Sequence, residues 1–83
     1  MKEIKEKIEK YLKKAEPLFA NLEDKEPDRI DVKKIRKEFR EMAFGYFNDA
    51  KHFYNKGEYA NALAALEYAE GWLDAGKRIG IFQ

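Results

Sequence analysis

Residues 46–80 read YFNDAKHFYNKGEYANALAALEYAEGWLDAGKRIG, and this stretch decides the fold. At its centre stands Lys56-Gly57-Glu58. Glycine reaches the left-handed conformation that ends a helix, and apolar residues at helical spacing resume at once on its far side. Two helices joined so tightly must be antiparallel, so residues that face each other should have numbers summing to about 115. Phe53 then faces Ala62, Ala50 faces Leu66, Tyr46 faces Ala69 and Met42 faces Leu73, so large side chains meet small ones. Gly45, Gly71 and Gly76 each weaken a helix by roughly 1 kcal/mol against Ala, which suggests places where backbones approach closely.

Working outward from the turn, the second helix is predicted over about 31–56 and the third over about 58–79, where Gly80 stops it. Val32, Ile35, Phe39, Met42, Tyr46, Ala50 and Phe53 form one stripe of the second helix, widened by Ala43, Phe47 and Tyr54. Asp28 or Asp31 can cap its start. Upstream, Glu23 to Asp28 is polar and holds Pro27, the signature of a loop. A first helix over about 2–22 carries Ile4, Ile8, Tyr11, Leu12, Ala15, Leu18, Phe19 and Leu22 at spacings of three and four. Glu3 with Lys7, Glu6 with Lys10 and Glu9 with Lys13 stand four apart, acid first, the favourable order for helix pairs. Pro17 lacks a backbone donor and crowds the preceding turn, so a kink or break is expected near Ala15, with Leu18 to Leu22 as a separate piece. The sequence thus predicts an all-α, three-helix bundle in a single domain over 1–83.

Composition bounds what such a domain does. The chain has 83 residues and a formal charge of +1, and is 40% charged, 45% hydrophobic and 14% aromatic, so it can bury a core. It contains no Ser, Thr or Cys. The hydroxyl and thiol nucleophiles of acyl-transfer enzymes, thiolate metal sites and disulfides are therefore excluded, as is a phosphate loop ending in Lys and Ser or Thr, and any enzyme would have to work with carboxylates, Lys, Arg, Tyr and one imidazole. His52 is the only histidine, so one chain cannot build a multi-histidine zinc site. No apolar run approaches the roughly 18 residues that would span a bilayer, and the lysine-rich start lacks the apolar stretch of a signal peptide, so a cytoplasmic location is expected. Abundant Lys and Glu with a single Gln suggest a thermophile.

With these positions set out, two resemblances stand. The hairpin looks like one tetratricopeptide unit: Tyr46 sits at the usual Trp position, followed by Ala50, Phe53, Gly57, Tyr59, Ala62, Leu66 and Ala69. It departs at Asp49, where that repeat prefers Leu, and at Asp74, near the expected Pro. The segment is also similar throughout to a small archaeal family of uncharacterised domains, domain of unknown function 357. The shared pattern is Tyr46, Phe47, Asp49, Ala50, Lys56, Gly57, Tyr59, Tyr68, Ala69, Gly71, Leu73, Asp74, Ala75, Gly76 and Gly80. That resemblance implies a compact helical bundle and no assigned activity.

Some residues are not absorbed by packing. Asp49 lies on or beside the apolar stripe and, with His52 three positions on, resembles half of a carboxylate-histidine metal motif; a structural hydrogen bond is the plainer reading, and no metal or cofactor is expected. Glu67, Glu70 and Asp74 form a polar strip on the third helix, with Asp74 expected to pair with Arg40 across the hairpin. Lys33, Lys34, Arg36, Lys37 and Arg40 make the start of the second helix basic, an alternative surface for RNA, although Glu38 and Glu41 are interleaved. The third helix is apolar over most of its circumference and must be covered on two sides. Either the other two helices cover it, or a patch of Tyr68, Trp72, Ile79, Ile81 and Phe82 awaits a protein partner or a second copy. The sequence favours an interaction or scaffold module first, nucleic-acid binding next and an enzyme last, with no catalytic residue assigned and no membrane partner expected.

Overall fold

The computed structural model describes residues 2–83. It is all-α, with three helices in the expected order: α1 (Lys2–Ala20), α2 (Val32–Asn55) and α3 (Tyr59–Arg78). Asp31 caps α2, its Oδ1 accepting from the Lys34 N–H at 3.1 Å, so one of the unpaired donors of the first turn is satisfied.

The turn between α2 and α3 is built by the chain's own backbone. Gly57 takes φ +77°, the Gly57 N–H donates to the Tyr54 carbonyl at 3.0 Å, and the Glu58 N–H reaches back to the Phe53 carbonyl at 2.9 Å. These two bonds are the Schellman closure, which needs a left-handed residue just past the helix. α3 ends the same way. Gly80 has φ +84°, its N–H donates to the Lys77 carbonyl at 3.1 Å, and the Ile81 N–H donates to the Gly76 carbonyl at 2.9 Å. The second closure turns the tail back over α3, so that the Phe82 ring lies where a side chain on residue 76 would stand.

α2 and α3 pack side by side along a seam of small residues: Ala43, Ala50, Ala65, Ala69 and Gly76 are buried. Small side chains let two helices approach closely, and larger ones then clasp across the seam. Phe39 meets Trp72 edge-on with ring centroids 4.9 Å apart, and Tyr46 meets Tyr68 at 4.3 Å. Such edge-to-face pairs contribute roughly 0.5–1.5 kcal/mol beyond their buried area. Their residue numbers sum to 111 and 114, close to the register read from the sequence. None of the three glycines expected to mark close backbone approach does so: at Gly76 the neighbour is the Phe82 side chain, and an added Cβ at Gly45 or Gly71 meets nothing within 4 Å.

α1 is different. Among the described residues it packs against neither α2 nor α3, and none of its residues is buried. It runs through Pro17 to Ala20 as one helix, so of the kink or break expected near Ala15 the break is absent, and Leu18 to Ala20 belong to α1 and not to a separate piece. Pro17 lies in the last turn, and the carbonyl it leaves without a donor is on an exposed helix that water can reach. Among the described residues its ion pair within 4.0 Å is Lys5–Glu9 at 3.9 Å, not one of the acid-first pairs read from the sequence.

Candidate functional site

Successive helix residues are 100° apart, so each helix of the hairpin has one side on either edge of the seam. The first side carries Phe39 and Tyr46 on α2 with Tyr68 and Trp72 on α3. Here the aromatic residues pack on one another: Tyr68 and Trp72 are 6.5 Å apart, besides their contacts across the seam. Of the residues singled out in the sequence as an interaction surface, Trp72, Ile81 and Phe82 are half-buried, while Tyr68 and Ile79 are exposed. Phe82 lies under Arg40, whose guanidinium carbon sits 5.7 Å from the ring centroid.

The second side is a continuous apolar groove. One end is lined by Ala43, Phe44, Phe47, Leu66, Ala69 and Leu73 with Glu70, and the other by Phe47, Ala50, Tyr54, Tyr59, Ala62, Leu63 and Leu66 with Lys51 and Asn55. Phe44, Phe47, Tyr54, Tyr59, Leu63 and Leu73 are all exposed along it, with Leu63 at 59%. From Tyr59 to Leu73 the groove follows α3 for about 21 Å at 1.5 Å per residue. Apolar patches of this extent on a small protein mark surfaces that meet another molecule.

The polar positions sort onto the rims. Glu67, Glu70 and Asp74, with Lys77, share one edge of α3 beside Leu73 and the groove. Asp74 does not pair with Arg40 as expected: it points away from the seam and pairs with Arg78 on its own helix at 3.7 Å, while Arg40 stacks on Phe82. On the α2 edge, the Lys51 ammonium lies 4.7 Å from the Phe47 ring centroid. Asp49 and His52 are exposed, and no hydrogen bond joins their side chains among the described residues. An exposed carboxylate keeps its water and needs no protein partner. No three side chains of His, Cys, Asp or Glu converge among the described residues. Lys33, Lys34, Arg36, Lys37 and Arg40 line one shallow depression with Asp31, and Lys37 also reaches Glu41 at 4.0 Å.

The groove was missed in sequence because α2 carries two apolar stripes that merge. Phe39, Met42, Tyr46 and Phe53 follow one set of three- and four-residue steps; Phe44, Phe47 and Tyr54, with Lys51 between, follow another about 120° round the helix. Read as one broad stripe, the second set counts as core. Read separately, it is a second face needing its own cover.

Fold and surface together define a helical-hairpin domain with an outlying N-terminal helix and an uncovered apolar groove. Residues 10–82 match the family described as Protein of unknown function (DUF357), and the chain belongs to it. No curated protein and no solved structure gave a match. No helix among the described residues is long and apolar enough to cross a membrane.

Proposed function

We propose that this domain is a protein-interaction module of the cytoplasm, not an enzyme, and that it works through the groove between α2 and α3. The observation that carries the reading is the set of large apolar side chains Phe44, Phe47, Tyr54, Tyr59, Leu63 and Leu73, all exposed along one side of the hairpin. A groove of aromatic and aliphatic side chains flanked by charged rims is the form that receives an amphipathic helix. The absence of Ser, Thr and Cys from the sequence supports a binding role over nucleophilic chemistry. The test places a photo-crosslinking residue at Phe47 and, separately, at Lys34 on the outer side of α2. The reading expects specific protein adducts from position 47 that vanish when Leu63→Glu is added, and none from position 34. Equal labelling from both positions would overturn it.

A second reading draws on the five cations gathered in one depression at the start of α2. They would contact phosphates of RNA, in which case affinity falls steeply with salt and is lost on reversing Lys33, Lys34 and Lys37. A salt-independent shift, or none, would dispose of it.

A further inference from the structure

We infer that the groove is filled by α1 of a second copy of the chain, and that two chains exchange these helices reciprocally. This rests on the groove being the working surface and names its occupant.

The first support is area. The chain exposes 7895 Å². A compact monomer of its 9.8 kDa mass exposes about 5,200 Å². Its radius of gyration is 16.0 Å, against roughly 12 Å for a compact chain of this length. The excess surface, about 2,700 Å² per chain, comfortably exceeds the roughly 800 Å² that each partner buries in a stable interface. Much of it is α1, where Ile8 is 53% and Phe19 76% exposed.

The second support is fit. From Ile4 to Leu18 the apolar stripe of α1 runs about 21 Å, the same as the groove along α3. With that stripe turned into the groove, Lys7, Lys10 and Lys14 fall on one flank beside Glu3, and Glu9 and Glu16 fall on the other beside Lys5, as 100° steps require. The groove's flanks carry opposite charge over much of their length: Glu67, Glu70 and Asp74 lie along the α3 rim with Lys77 at its end, and Lys51 lies on the α2 rim, with Lys37 and Arg40 further along α2 in the neighbouring basic depression. Lysines meet carboxylates on both sides only when α1 lies parallel to α3. Aligning the ends of stripe and groove then sets Lys14 beside Glu70, and Glu16 within a turn of Arg40.

The third support is the hinge. Residues 22–31 form no regular structure, and Pro27 biases Glu26 toward the extended conformation. α1 is already swung clear of its own hairpin. The groove is therefore open to a second copy, and a two-fold exchange covers both stripes and both grooves at once.

The test uses full-length Lys14→Glu and Glu70→Lys chains, both changes on exposed helix surface, with circular dichroism to verify folding. Wild type is expected to be a dimer by light scattering at about 100 μM, an affinity range accessible to interfaces of this size. Each variant alone places like charges together twice in the dimer and should weaken it about 10-fold. Mixing the two variants should yield a heterodimer by native mass spectrometry with wild-type strength. In it the two introduced charges face each other at one interface, and the native Lys14 and Glu70 face each other at the second. A wild-type monomer at this concentration, with α1 folded on its own hairpin, would overturn the exchange. So would a dimer whose variants fail to complement on mixing; if that dimer were still abolished by Phe47→Glu, the groove would stand as the interaction surface and α1 alone would be the wrong occupant.

Discussion

α1 and the α2/α3 hairpin are built from the same materials and end differently. α1 has the cleaner amphipathic pattern, a single stripe of apolar residues with charges elsewhere, yet none of its residues is buried. α3 has the poorer pattern, apolar on nearly every side, and it buries Ala65 and Ala69 in the hairpin seam and Gly76 beneath the Phe82 ring. A stripe records that a helix will be covered; it does not record by what. What pins the hairpin together is local: a glycine turn closed by two backbone bonds brings the two partners within reach before any side chain is chosen. α1 has no such turn, only an irregular, proline-bearing connection. Nothing local assigns it a surface to pack on.

The contrast is most exposed to test at Trp72. Its edge contact with Phe39 and its neighbour Tyr68 make it the largest side chain of the packed face, and Trp72→Ala should cost about 3 kcal/mol of stability by urea unfolding. The comparable truncation on α1, Leu12→Ala, should leave the unfolding of dilute monomer within about 0.5 kcal/mol of wild type, because Leu12 is exposed there. Equal losses at the two positions would mean that α1 shares the hairpin's core.

Smaller effects should follow the caps. Asp31 is the one side chain that caps a helix start of the hairpin, and Asp31→Ala should lower stability by about 1 kcal/mol. Asp28→Ala, in the loop three residues earlier, is the matched control. A loss at Asp28 equal to that at Asp31 would show that charge near the helix start, and not the bond to the Lys34 N–H, supplies the stabilisation.

How much of this could be read from the chain follows the same division. The helix pair, its register and both glycine closures were legible because each depends on residues within a turn or two of one another. The expected break at Pro17 was not observed, since a proline three residues from a helix end disturbs little that water cannot repair. The Arg40–Asp74 pair was misassigned because the sum of residue numbers fixes height along the hairpin and not direction: Asp74 stands two residues before the buried Gly76, about 160° round α3 from it, and so faces away from the seam. The groove was hidden in a stripe that looked merely broad.

The glycines sharpen the comparison at its finest grain. Gly45, Gly71 and Gly76 look alike in sequence, but only Gly76 has a neighbour, the Phe82 ring. Gly45→Ala and Gly71→Ala should therefore each raise stability by about 0.5–1 kcal/mol, the gain expected when an exposed helical glycine is replaced without a clash. Gly76→Ala should do the reverse, displacing Phe82 and loosening the tail, visible as faster amide exchange at Ile81 and Phe82. A loss of stability at Gly71, close to the acidic rim, would mean that another surface comes within a Cβ's reach of α3 there in solution. That would place a partner on the outer side of α3, beyond the groove.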